Sequence, residues 1–115
     1  MGTSVRAMWA RVVLAALAGA ASGTAWGQAT DCGPYKVTAI QAQSGDLLAN
    51  VVDASGNYWK EIGAWTAPAT KPYQALLQQA LATGTGIVLR YTIVGYNCAQ
   101  TDYGNVPVIV RLYNS

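Results

Sequence analysis

The sequence contains no histidine and no phenylalanine, and charged residues make up only 10% of its 115 positions. Without histidine, the usual Ser-His and Cys-His nucleophile systems and histidine-based zinc sites are excluded. The acidic residues stand apart along the chain, so the sequence indicates no carboxylate pair of the kind that glycosidases use; Asp46 and Asp53 are interpreted as turn residues. We therefore predict a protein that is not an enzyme and that needs no metal or cofactor.

The N-terminal segment has the pattern of a secretory leader. Arg6 and Arg11 flank the start of an apolar run at 12–21, about ten residues long where a membrane span needs about twenty. Ala25-Trp26-Gly27 fits the small-x-small rule of signal peptidase. We predict a cleaved signal peptide at 1–27, with cleavage after Ala20 or Ala21 as alternatives, and a single secreted or periplasmic domain at 28–115. An uncleaved N-terminal anchor is the other interpretation.

Residues 28–115 carry no excess of charge of either sign, since five basic side chains balance five acidic ones. The basic residues form no stripe, so binding to nucleic acid has no electrostatic support. No charge cluster suggests an anionic membrane surface either. After cleavage, we expect no nucleic-acid partner and no stable membrane insertion.

Only two cysteines are present, Cys32 and Cys98, separated by 66 positions. A domain of this size often needs a covalent staple, and an even pair of cysteines in an oxidising compartment usually forms a disulfide. The chain has no CxxC motif, which disfavours a redox or metal-ligating pair. We predict a structural disulfide, which would contribute roughly 4 kcal/mol in the chain-entropy model.

Alternating patterns and turn signals predict five strands, at 35–43, 47–54, 58–64, 87–94 and 106–113. Between the third and fourth strands, apolar residues recur at helical spacing on one face: Tyr73, Leu76, Leu77, Ala80 and Leu81. Pro72 suits the start of this helix and Gly84 its end. The sequence therefore predicts a mainly β domain with one helix (α+β) in the order β-β-β-α-β-β.

The last predicted strand, 106–113, carries apolar residues on both faces. A sheet with one wet face usually shows stricter alternation, so this strand is either central in the sheet or covered by another subunit. This pattern is the sequence's own indication of a homo-oligomer.

Tryptophan and tyrosine are the remaining chemical resource, because each combines a flat apolar face with a polar edge that suits sugar rings and interfaces. We predict ligand-binding residues at the start of the third strand and in the loop before the last one: Tyr58, Trp59, Tyr96, Asn97, Asp102 and Tyr103. The alternative is that these rings fill the core or a subunit interface.

Two segments resemble the B subunit of subtilase cytotoxin and related pertussis-like B subunits. They are Ala64-Trp65-Thr66-Ala67-Pro68, and the helix 73–80 followed by Thr83-Gly84 and the strand 87–90. The same helix, a nearby Cys and a final Arg111-Leu112 strand also resemble small secreted bacterial proteins of unknown function. The likeness covers about 50 residues, from Trp65 to Leu112.

The resemblance implies an OB-like five-stranded antiparallel barrel that assembles as a ring, commonly of five subunits, and binds cell-surface glycans, with a toxin A subunit as a further partner. The helix here is about one turn shorter than in those subunits. Their glycan-binding members place a serine before the first strand, where this chain has Cys32-Gly33-Pro34, so only scaffold residues are carried over. We expect a secreted glycan-binding module, of which a toxin's delivery subunit is one form; the alternative is a structural or protein-interaction domain without sugar specificity.

Overall fold

In a computed structural model that describes residues 29–114, the chain forms five strands and one helix. The leader predicted at 1–27 lies outside the described residues. The elements follow one another as β1 (Thr30–Ala42), β2 (Asp46–Asp53), β3 (Gly56–Ala64), α1 (Thr70–Thr83), β4 (Gly86–Tyr91) and β5 (Ile109–Tyr113). The predicted mainly β fold with one helix, in the order β-β-β-α-β-β, is confirmed.

All five strands belong to one antiparallel sheet with the order β3-β2-β1-β4-β5. The long strand β1 lies in the middle, where its first half pairs with β4 and its second half pairs with β2. The sheet is open, and the edge of β3 carries a single parallel bridge, from Lys60 to Asp102 in the segment that leads to β5.

The core lies on one face of the sheet, because alternate residues of each strand point to the same side. On β2 this face carries Leu47, Ala49 and Val51, all fully buried, and on β3 it carries Lys60 and Ile62. The opposite face of β2 and β3 is therefore the outer face of the domain, and its side chains are free to form a surface site.

Helix α1 covers the core mainly beside β1. Leu77 and Ala80 are buried and Tyr73 and Leu76 are packed against the core, which confirms the predicted stripe, whereas Leu81 is 44% exposed. The helix ends at Gly84, whose φ of 73° is a left-handed conformation that glycine adopts without steric cost.

The last two strands are shorter than predicted. Strand β4 ends at Tyr91, because the chain turns away through residues 92–95, and β5 begins only at Ile109. Pro107 lies inside the predicted strand 106–113 and has no N–H to donate to a ladder. Strand β5 is also an edge of the sheet, so the interpretation that it is central is wrong.

The predicted disulfide is confirmed: Cys32 and Cys98 are bonded, with their Cα atoms 5.4 Å apart. The bond joins β1 to the long segment between β4 and β5, which has no strand or helix of its own. It therefore ties this segment covalently to the centre of the sheet. Within residues 29–114, no helix has the length and apolar character needed to cross a membrane.

Candidate functional site

An open groove of about 390 Å³ lies on the outer face of β1, β2 and β3. Its floor and walls combine two aromatic rings, two primary amides, two carboxyl groups and one aliphatic side chain. The residues that line it, called the groove below, are Gln41, Gln43, Asp46, Leu48, Trp59, Glu61 and Tyr103.

Strand pairing explains why these side chains meet. Trp59 and Glu61 are two residues apart on β3 and so point to the same, outer face. Leu48 pairs with Glu61 on one side and with Gln41 on the other, which aligns the three strands across the groove. Asp46 lies at the start of β2, beyond a register irregularity between Leu47 and Leu48, and its carboxyl group interacts with that of Glu61.

The two carboxyl groups of Asp46 and Glu61 share a hydrogen bond. Burial, the hydrogen bond to Asp46 and the negative charge of Asp46 raise the pKa of Glu61 from its ordinary value of 4.5 to about 7. Hydrogen bonds from Gln43 and Glu61 hold the pKa of Asp46 below its usual range. When the pair holds one proton, Glu61 is therefore the partner that carries it, and it donates this proton towards the ionised Asp46.

Amide groups continue this hydrogen-bonded chain along the rim of the groove. Gln41 Nε2 donates to Gln43 Oε1 at 2.6 Å, and Gln43 Nε2 donates to Asp46 Oδ1 at 2.8 Å. Trp65 stabilises the turn that carries Gln43. Its indole Nε1 donates to the Gln43 carbonyl at 2.6 Å, and its backbone amide donates to the Gly45 carbonyl. The polar side of the groove is thus fixed before any ligand arrives.

The opposite wall, Tyr103, comes from the segment between β4 and β5, which runs beside the edge of β3. The amide of Glu61 donates to the Asp102 carbonyl, and the amide of Asp102 donates to the Trp59 carbonyl, both at 2.9 Å. The amide of Trp59 donates to Thr101 Oγ1 at 3.1 Å. These bonds position Tyr103, which is 58% exposed, over the groove.

A fully buried lysine anchors the same segment from the core side. Lys60 Nζ donates to the carbonyls of Gln100 at 2.6 Å and Cys98 at 3.2 Å, and it lies 5.1 Å from the ring centre of Tyr96. Burial lowers the pKa of Lys60, while the charges of Asp102 and Asp53 oppose that shift. The ammonium group is therefore committed to holding the segment, and it faces away from the groove.

Asp102 fixes the turn beside Tyr103. Its carboxylate accepts hydrogen bonds from Tyr96 Oη at 2.6 Å, from the amides of Gly104 and Asn105, and from Asn105 Nδ2. Burial would raise the pKa of Asp102, but these hydrogen bonds outweigh burial and lower the pKa to about 2. Asp102 is thus an ionised structural group at neutral pH.

The structure brings together two of the six predicted ligand-binding residues, Trp59 and Tyr103, in the groove. The other four lie elsewhere: Tyr96 and Asp102 are buried and bonded to each other, Tyr58 donates to Ser55 Oγ in the β2–β3 turn, and Asn97 accepts a bond from the Ala99 amide in its own turn.

Sequence reasoning missed the polar half of the groove: Gln41, Gln43, Asp46 and Glu61. The sequence indicates no carboxylate pair, whereas in the structure Asp46 and Glu61 meet across β2 and β3. The available signal was the turn at 53–56, which sets the hairpin register and places Glu61 opposite Leu48. The register irregularity between Leu47 and Leu48 has no counterpart in the local sequence pattern.

Other potential sites among the described residues are poorer in chemistry. A second groove, of about 300 Å³, lies near the end of α1 and holds Lys36 as its one charged side chain. No group of three or more acidic or cysteine side chains that could hold a metal ion occurs within residues 29–114. Comparisons with known proteins give no match to a family model, a curated protein or a solved structure.

Replacing Lys60 with methionine tests the anchor. Methionine keeps the length and apolar stem of lysine but leaves the carbonyls of Cys98 and Gln100 without their donor and Asp102 without its nearby cation. We expect the free energy of unfolding, measured by urea denaturation, to fall by about 1–3 kcal/mol. The exposed Lys36→Met is the control, with a change within about 0.5 kcal/mol; equal stabilities for the two variants would contradict the anchoring role.

Replacing Glu61 with glutamine tests the shared proton. Because the pKa of Glu61 is higher in the folded than in the unfolded chain, its stabilising contribution is complete below pH 4.5 and is lost as the pH rises through about 7. The amide of the introduced glutamine would donate to Asp46 without ionising. We expect Glu61→Gln to be more stable than the parent at pH 8 and to gain less as the pH falls to 5.

Urea denaturation at pH 5, 6, 7 and 8 measures this difference. Asp31→Asn is the matched control, since the hydrogen bond from Arg90 keeps the pKa of Asp31 below its usual range and thus outside this window. Parallel pH profiles for the parent and Glu61→Gln would show that Glu61 does not hold the proton.

Proposed function

We propose that this chain is an exported, non-enzymatic saccharide-binding module whose ligand lies in the groove. The observation that carries the proposal is the juxtaposition of Trp59 and Tyr103 with the hydrogen-bonded set Gln41, Gln43, Asp46 and Glu61. Stacking rings and oriented polar groups on one open surface are what a sugar requires, with apolar C–H faces and a hydroxyl rim.

The position of the groove on the fold supports the same proposal. In OB-type domains, oligosaccharides and oligonucleotides bind on the face of strands 2 and 3, between the loop joining strands 1 and 2 and the loop joining strands 4 and 5. Here Gln43 lies in the first of these loops and Tyr103 in the second, and β2 and β3 form the floor. This is an analogy at the level of fold, and the groove's own chemistry selects between the two ligands.

The charge of the groove favours a sugar over a nucleic acid. Proteins neutralise phosphates with lysine and arginine, and no residue that lines the groove is basic, whereas Asp46 is ionised. The geometry of the acid pair favours binding over hydrolysis. Glycosidase carboxyl groups stand about 5 Å or more apart with the substrate between them, while those of Asp46 and Glu61 are in direct hydrogen-bond contact.

An apolar patch supports a second part of the proposal, that the domain works as a homo-oligomer. Where the chain leaves β4 and approaches β5, Ile93, Val94, Val106 and Val108 are between 38% and 62% exposed. The two segments adjoin, since the Val108 amide donates to the Arg90 carbonyl at 2.8 Å. Exposed apolar side chains gathered in this way are typical of an interface.

Several copies in one assembly would present several grooves, and multivalency compensates for the weak binding of a single shallow site. The toxin-like helix segment favours a ring, five-membered by resemblance, in which the chain would be the delivery (B) subunit beside an A subunit. A secreted or periplasmic location agrees with the predicted leader and with the Cys32–Cys98 bond. The apolar patch equally suits the alternative, a protein-interaction domain without sugar specificity.

Binding to a glycan array, with the protein displayed multivalently, tests the saccharide proposal. We expect binding that falls at least tenfold in Trp59→Ala and in Tyr103→Ala, because a lost stacking ring is worth about 1.4 kcal/mol or more. Tyr113→Ala is the matched control: Tyr113 is a 42% exposed tyrosine outside the groove. Glycan binding that survives both groove variants, or no binding at all, would contradict the proposal.

Mass measurement in solution tests the oligomer. We expect the parent protein at micromolar concentration to have a mass of several chains, and Val94→Asp to shift it towards the monomer, since a buried unpaired charge opposes association. Ala54→Asp, at an exposed position in the β2–β3 turn, adds the same charge outside the patch and should keep the parent mass. A parent protein that is monomeric at this concentration would contradict the proposal that the domain works as a homo-oligomer.

A further inference from the structure

Among the residues lining the groove, all the charge is of one sign. Asp46 and Glu61 share at most one proton, and no lysine or arginine lines the groove to balance them. The nearest lysine along the chain, Lys60, is adjacent to Glu61 on β3 and so points to the opposite face, where its ammonium is fully buried beneath Gln100 and Cys98. Nothing that lines the groove can therefore neutralise an anionic ligand.

The hydrogen bonds within the groove also have one direction. Gln41 donates to Gln43, Gln43 donates to Asp46, and Glu61 donates its proton to the same carboxylate. Each glutamine amide uses one N–H in this chain, whose end point is a carboxylate with lone pairs to spare. A ligand group that bonds to this carboxylate must donate, as sugar hydroxyls and N-acetyl amides do.

A carboxylate or sulfate on the ligand would act against both features. It brings a second negative charge close to Asp46, and it has no hydrogen to donate to the Asp46 carboxylate. Water and salt screen part of this repulsion at Asp46, which is partly exposed. Screening is weaker for the charge that Glu61 carries once it is ionised, because Glu61 is only 7% exposed and Leu48 beside it is equally buried.

From this arrangement we propose that the groove selects uncharged saccharide units, hexoses or N-acetylhexosamines, and discriminates against sugars that carry a carboxylate or a sulfate. The inference rests on the proposed saccharide-binding function and specifies its ligand class. Asp46 sets the discrimination by charge, and Glu61 reinforces it once its proton is lost.

A panel of matched glycans tests this selection, each neutral oligosaccharide being paired with its sialylated and its 6-sulfated derivative on the same carrier. At near-physiological ionic strength, we expect the neutral member of the bound pairs to bind at least tenfold more tightly. Asp46→Asn, which removes the charge and keeps the size of the side chain, should reduce this neutral-to-acidic ratio at least threefold. Asp53→Asn, whose carboxylate lies in the β2–β3 turn outside the groove, should leave the ratio unchanged.

The outcomes separate this inference from the proposal beneath it. Equal binding, or preference for the acidic member, with binding lost in Tyr103→Ala, overturns the selection and leaves the saccharide-binding function standing. A ratio that is unchanged in Asp46→Asn and also in Glu61→Gln overturns the role of the acid pair, whichever of the two variants folds. Binding to no member of the panel contradicts the saccharide-binding function, and the inference falls with it.

Discussion

The buried ammonium of Lys60 is the interaction on which the arrangement of this domain depends. A lysine with no exposed surface costs several kcal/mol of desolvation unless it is paired, and here the compensation comes from the Gln100 and Cys98 carbonyls, three tyrosine rings and the charge of Asp102. Because these partners lie mostly in the segment between β4 and β5, the lysine cannot be satisfied unless that segment packs along β3.

The consequences of this packing reach the outer face of the sheet. Once the segment lies along β3, the reciprocal bonds of Asp102 with Trp59 and Glu61 fix its register, and the Asp102 carboxylate organises the turn that carries Tyr103. The Cys32–Cys98 bond secures the same segment covalently to β1. One side of β3 thus supplies the anchor and the other supplies Trp59 and Glu61, so stability and the candidate site are built from neighbouring residues of one strand.

Local patterns in the sequence were enough for most of the fold. The helical stripe and Gly84 predicted α1, and the cysteine pair predicted the disulfide. Strand ends were harder, since Pro107 interrupts an apolar run that otherwise looks like β5. Lys60 has no sequence signal at all: it alternates with Tyr58 and Ile62 as a core residue, which is rare for lysine.

Only part of the candidate site could be predicted from the sequence, because residue type alone does not show which side chains strand pairing brings together. Trp59 and Tyr103 are recognisable as candidates by residue type, whereas Asp46 and Glu61 come together only through the pairing of β2 with β3. Tyr96 and Asp102 have the residue types of a sugar site, but their buried side chains bond to each other in the segment that Lys60 holds. To tell a groove residue from a residue that stabilises the fold, one must know whether its side chain lies on the outer face or on the core face of β3.

The most direct measurement of the central claim is a two-dimensional ¹⁵N NMR titration of the protein with a neutral oligosaccharide, following the indole and side-chain amide signals. The account predicts that the Trp59 indole, assigned by its absence in Trp59→Phe, and the Gln41 and Gln43 amides shift together, while the Trp65 indole, bonded to the Gln43 carbonyl, moves less. Shifts confined to the backbone amides of residues 93–94, 106 and 108 in the same spectra, or to those of the second groove around Tyr113, would contradict it.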